Sequence, residues 1–173
     1  MIVSRTPFRI SLFGGGTDFP AWYHEHGGSV LGLAINKYCY INLRYLPPFF
    51  EYKYRIVYSK VELKKSIREI EHPVVAAILR ESNQTKGMEV HHIADLPARS
   101  GLGSSSSFTV GVINAMNYLT EKSTDKFSLA QEAIRIEQDL LKEYVGCQDQ
   151  FWAAYGGLNK IDFYKNASND TKM

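Results

Sequence analysis

Apolar and polar residues alternate through "IVSRTPFRISLFG", most cleanly from Phe8 to Phe13, which predicts a β-strand that ends in a triple glycine. The runs "SVLGLAI", "YCYINLRYL" and "YKYRIVYS" are rich in β-branched and aromatic residues and predict further strands, so the first third of the chain is strand-heavy. In "HPVVAAILRES" the apolar spacing becomes helical, with Pro73 suited to the first helical position. This short helix leads into a strand over "MEVHHIADL". Beyond Pro97 the period changes to helical. Phe108, Val112, Ala115, Met116 and Leu119 fall on one face of "SSFTVGVINAMNYLTEK". A second helix is expected over "SLAQEAIRIEQDLLKEYVG", with Ser128 and Gln131 as a capping box and Gly146 as terminator. "QDQFWAAYGG" reads as a short helix or tight turn before a last strand, "LNKIDFY", and the polar tail "KNASNDTKM" reads as frayed.

Composition narrows the class. The 173 residues are 45% hydrophobic and 22% charged, as in a globular protein with a full core, and no linker or repeat divides them. Twenty basic against eighteen acidic residues leave +2, too little to predict nucleic-acid binding. Cys39 and Cys147 have neither redox nor zinc spacing, which argues against a disulfide framework. The N-terminal stretch is broken by Thr6, Pro7, Arg9 and Ser11, and no apolar run approaches a membrane span, so a cytoplasmic, non-membrane protein is expected. Adjacent His91 and His92 on a strand point to opposite faces, and with His24 and His26 they make a poor metal cluster.

One segment carries chemistry. "SGLGSSSSF" lies between a strand and an amphipathic helix, where free backbone N–H groups and the helix dipole favour an anion. Glycine allows close approach, and serine hydroxyls can donate to phosphate or ligate magnesium. The segment is neither a Walker loop nor a dinucleotide fingerprint. From the residues alone, a flexible linker or a simple helix cap stays open beside the phosphate cradle.

"LPARSGLGSSSSF" resembles the Pro-x-x-x-Gly-Leu-Gly-Ser-Ser motif of the GHMP kinases. "TPFRISLFGGGTDF" is similar to that family's N-terminal motif, and "EQDLLKEYVGCQDQFWAAYGG" resembles its acidic segment. The "GGGTD" variant most resembles sugar kinases of the D-glycero-D-manno-heptose 7-phosphate type, with fucokinase-like enzymes next; galactokinases usually have Gly-Glu-His-Thr-Asp there. The resemblance implies an α+β domain like the second domain of ribosomal protein S5, a mostly antiparallel sheet packed with helices. It covers residues 1–173 as an N-terminal, ATP-binding domain, and nothing after Tyr155 resembles the family's C-terminal domain, which is expected to be absent.

Roles follow from the resemblance. Gly101, Leu102, Gly103, Ser104, Ser105 and Ser106 would hold the phosphates of ATP, with Arg99 as an extra contact. Ser105 and Glu137 would face Mg2+. Asp149 would be the catalytic base and Arg9 its cationic partner, while Gly14, Gly15, Gly16, Thr17 and Asp18 would contact the sugar. Each has a plainer reading: Glu137 as a solvated helix residue, Asp149 as an N-cap, Arg9 as an outward strand residue, Asp18 as a turn former. The function implied is ATP-dependent phosphorylation of a sugar or sugar phosphate, a heptose 7-phosphate at the anomeric position; the alternative is a non-catalytic nucleotide- or sugar-binding module. No nucleic acid or membrane partner is expected. A surface left open by an absent C-terminal half would favour self-association into a homo-oligomer.

Overall fold

The computed structural model describes residues 1–98 and 100–165, together with the backbone of Thr171–Lys172. Arg99 and most of the polar tail, with the roles expected of them, lie outside the described residues. Seven strands form one sheet: β1 (Ile2–Phe13), β2 (Gly28–Tyr45), β3 (Tyr54–Val57), β4 (Val61–Lys64), β5 (Met88–Ala94), β6 (Leu158–Phe163) and β7 (Thr171–Lys172). The order is β4-β3-β5-β2-β6-β7, with β1 also on β2. Only β3 and β5 run parallel, so the sheet is mostly antiparallel, as expected.

The two β-rich runs after the triple glycine are one long strand, β2, which pairs with β1, β5 and β6 in turn. The helices are α1 (Pro20–His26), α2 (Pro73–Glu81), α3 (Ser104–Leu119), α4 (Lys126–Ile134) and α5 (Gln148–Tyr155). α2 begins at Pro73 as its sequence predicts, and the carboxylate of buried Glu62 accepts from the N–H groups of Glu71 and His72 just before it. α3 packs against both β1 and β2 and is buried nearly all round; Phe108, Val112, Ala115 and Met116 join a core with Phe8, Ile41 and Leu43. A second cluster, centred on Trp152, Phe151, Ile161 and Val30, fills the space under α5.

Two expected helix boundaries move. Asp125, not Ser128, caps α4: its carboxylate accepts from the Ser128 N–H at 2.9 Å and from the Ser128 hydroxyl at 2.6 Å. The carboxylate three residues earlier offers two acceptor oxygens and takes up both the N–H and the hydroxyl of Ser128, which a serine cap further along could not do. Gly146 does not end that helix either. α4 runs on as a π-helical segment, Arg135–Leu140, and ends with Lys142 in the left-handed region. Gly146 serves a close approach instead: a Cβ there would fall 1.8 Å from Asp18 Oδ2.

Candidate active site

Pro7 cannot donate to the sheet ladder, and the β1–β2 register shifts between Pro7 and Arg9. The bulge re-aims Arg9. Its backbone N–H donates to the Leu102 carbonyl at 3.1 Å, Nη1 donates to the Gly101 carbonyl at 2.7 Å, and Nε and Nη2 donate to the two oxygens of Asp149 at 2.6 and 2.7 Å. Arg9 is therefore no outward strand arginine. It fastens the glycine–serine loop and the start of α5 to the first strand through a two-pronged pair.

The loop itself is tight. Gly103 has φ +74°, a backbone conformation that strains any other residue, and a Cβ there would crowd both Arg9 and Asp149 at 3.2 Å. Leu102 packs into the core and anchors the loop from below. At the start of α3 the Ser107 hydroxyl donates to the Pro7 carbonyl and Thr6 donates to the Ser107 carbonyl, which pins the helix mouth onto β1. Among the described residues, no backbone N–H of residues 101–106 has a partner outside α3. These donors border a hollow of about 320 Å³ lined by Arg9, Gly103, Ser104, Ser105, Tyr144 and Asp149, among others.

Asp149 sits in the first turn of α5, two residues past the capping position at Cys147, so it is not an N-cap. Its side chain retains 22% exposure. Burial pushes its carboxyl above the ordinary aspartate value, the Arg9 guanidinium pulls it back, and the Asp18 charge pushes it up again. The net rise makes it a stronger base than a solvated aspartate.

Glu137 lies in the π-helical segment and is 1% exposed, which rules out a solvated helix residue. It is Ser106, rather than the exposed Ser105, whose hydroxyl donates to Glu137 Oε2, at 3.0 Å; Gln150 Nε2 donates to the same oxygen. Oε1 has no hydrogen-bond partner among the described residues, and burial pushes the Glu137 carboxyl upward against the bonds it accepts. A buried carboxylate with one unpaired oxygen beside a serine hydroxyl is an oxygen-only donor set suited to magnesium, which takes one or two carboxylates and completes its shell with water and substrate phosphate. Among the described residues no group of three His, Cys, Asp or Glu clusters as a metal site.

At the end of β1, Gly14 to Thr17 form a turn closed by the Thr17 N–H and hydroxyl, both donating to the Gly14 carbonyl. Gly15 and Gly16 are exposed. Asp18 is completely buried: Oδ1 accepts from the Gly16 N–H, Oδ2 from the Gln148 N–H, and its carbonyl from the Cys147 N–H. It clamps the glycine turn to the segment that carries Asp149. Buried Cys147 has its thiol pushed up to about 11 by burial and stays protonated, a packed residue with no nucleophile's chemistry. Sequence reading missed Gln150 and Tyr144; the first is signalled only by polarity in an apolar helix, the second by nothing local.

Residues 62–157 match the profile of the GHMP kinases N terminal domain. Over 95% of its length the chain is 30% identical to D-glycero-alpha-D-manno-heptose 7-phosphate kinase of Campylobacter jejuni, covering 51% of that protein. It is 27% identical to galactokinase of Pyrococcus furiosus, over 94% of the chain and 46% of the enzyme. The fold superposes on a D-glycero-D-manno-heptose 1-phosphate kinase from Bacteroides thetaiotaomicron with a TM-score of 0.88 at 24% identity, covering 99% of this chain and 58% of that one. The chain thus spans about half the length of the curated relatives it matches. With the profile matching more than half of its residues and the loop, strand and helix arranged around Arg9 and Asp149, the chain belongs to the GHMP kinase family.

Proposed function

We propose that this chain transfers the γ-phosphoryl group of ATP to a hydroxyl of a sugar or sugar phosphate, the anomeric hydroxyl of a heptose 7-phosphate being the preferred acceptor. The observation that carries the proposal is the Arg9–Asp149 pair set against the open N–H groups at the mouth of α3. Phosphoryl transfer asks a protein mainly to position its reactants and stabilise charge. The N–H groups and hydroxyls of residues 101–106 hold the phosphate oxygens, and the dipole of a 16-residue helix adds to them.

Arg9 orients Asp149 by its fixed fork and offsets developing charge. Asp149 accepts the proton of the sugar hydroxyl as that oxygen bonds to the γ-phosphorus and the bond to ADP breaks. A carboxyl raised by burial, against the pull of Arg9, is better matched to this task than an ordinary one. Ser106 and Glu137 would hold Mg2+, Ser106 lining the hollow beside Ser105 and Glu137 lying behind it. Bound there, the ion supplies neutralisation of phosphate charge. Heptose 7-phosphate as acceptor draws on the Campylobacter jejuni relative.

A coupled assay of ADP release over a panel of sugars and sugar phosphates tests the reading. Turnover with a heptose 7-phosphate above the rate with galactose or fucose is expected. Measurable MgATP binding without turnover on any sugar would favour the alternative, a binding module.

A further inference from the structure

With both oxygens of Asp18 engaged by backbone donors and the side chain completely buried, the expected sugar carboxylate presents little to a ligand. What does face solvent beside it is aromatic. A second hollow, of about 280 Å³, is lined by Gly16, Phe19, Ala21, Trp22 and Tyr144. It shares Phe19 and Tyr144 with the hollow that holds Arg9 and Asp149, so the two are contiguous. Trp22 is 49% exposed and Tyr144 81% exposed, a large outlay of aromatic surface for residues outside any core.

The rings are not loose. Phe19 and Tyr144 lie 5.0 Å apart between centroids, and Trp22 is backed by His26 at 4.5 Å. Their polar edges remain available: among the described residues the Tyr144 hydroxyl and the Trp22 N–H have no hydrogen-bond partner. An apolar face ringed by such donors suits one class of molecule. A pyranose presents axial C–H groups on one face, which pack on aromatic rings, and hydroxyls around its edge, which hydrogen-bond. An acyclic hydroxy acid such as mevalonate offers no rigid C–H face.

We infer that Phe19, Trp22 and Tyr144 form a stacking shelf for the ring of a cyclic sugar, and that this shelf selects pyranoses over acyclic acceptors at the same phosphoryl-transfer site. The inference rests on the kinase reading but concerns a different part of the pocket. The glycines of the preceding turn leave the shelf uncovered from the β1 side: Gly16 lines it without a side chain.

The chain contains its own probe. Of its two tryptophans, Trp152 is fully buried and donates to the Gly32 carbonyl, so Trp22 alone meets a soluble quencher. Acrylamide quenching of the full chain is measured with D-glycero-D-manno-heptose 7-phosphate, galactose, fucose and mevalonate in turn. At least one sugar should lower the quenching constant twofold or more, mevalonate should leave it unchanged, and Trp22→Phe should abolish the signal. Trp22→Ala should weaken that sugar about tenfold by calorimetry and leave MgATP affinity unchanged, because Trp22 lines the aromatic hollow and not the one beside Arg9 and Asp149; Trp22 is half-exposed and outside both core clusters, so its loss is tolerated by the fold. Equal quenching with and without every sugar overturns the shelf, as does a Trp22 already shielded in the free chain, which would mean that another protein surface covers it. If calorimetry detects sugar under those conditions, the kinase reading survives; if neither sugar nor MgATP binds, that reading falls too.

Discussion

Two arginine–carboxylate centres sit on the β1–β2 ribbon, and they differ in one respect that matters. At the loop end, Asp149 is held by a single arginine, Arg9, and feels a second carboxylate, Asp18. Further along, where Arg44 of β2 pairs with Glu89 of β5, that buried glutamate accepts from Arg44, Arg55 and His91. Arg9 lies opposite Ala34 of β2, so Arg44 stands roughly 30 Å further down the strand. Burial pushes both carboxyls up. At Asp149 the rise stands; at Glu89 the hydrogen bonds and charges of Arg44 and His91 outweigh it and hold the carboxyl below the ordinary glutamate value. Three donating side chains hold Glu89 low, whereas one arginine and a nearby like charge leave Asp149 raised. An ion pair is thus legible as chemical or structural from what surrounds the acid, not from the pair itself.

That contrast can be broken by mutation. Asp149→Asn should lower kcat by about 10²–10⁴-fold, the usual worth of a positioned general base, and shift the melting temperature by only a few degrees. Arg9→Lys keeps the charge but loses the fork; a loss of about 10²-fold in kcat with unchanged fold, read by steady-state kinetics and circular dichroism, is expected. A pH profile sharpens the comparison. Since Asp149 works ionised and its carboxyl is raised, the acid limb of kcat should fall above 3.8, the ordinary aspartate value. A limb at or below that value would remove the raised carboxyl from the account.

Glu89→Gln should do the reverse of Asp149→Asn, leaving kcat within about twofold and costing about 1–3 kcal/mol of stability by thermal or denaturant unfolding. The sign of its pH dependence is fixed by linkage. A carboxyl lowered in the folded state stabilises above its unfolded value and loses that contribution as pH falls through the folded one. The gap between wild type and Glu89→Gln should therefore be widest near neutrality and close as pH drops below 4.5.

The sequence made some of this visible and hid the rest for physical reasons. β1 and β6 are legible because alternate positions are buried and periodicity records burial, while α2, α3 and α5 are legible as apolar runs of helical residues that the core takes in on most sides. The glycine–serine loop is legible because backbone geometry there demands glycine, at Gly103 above all. α1 and β4 leave no such trace: α1 buries no residue, and β4 is a four-residue edge strand. That Ser106 rather than Ser105 reaches Glu137 depends on the phase of the first turn of α3 and on the π-helical turn that carries Glu137, and one-residue phase is beyond periodicity. The burial of Asp18 depends on a contact with Gly146 across the fold, which a linear pattern cannot contain.

The most direct test of the central claim is a crystal structure of the chain with magnesium and a non-hydrolysable ATP analogue. A triphosphate is expected against the amides of residues 101–106, its terminal phosphoryl group facing Asp149 across the hollow that Arg9 borders. A nucleotide bound elsewhere, or a terminal phosphate turned away from Asp149 with those amides left in water, would contradict that claim.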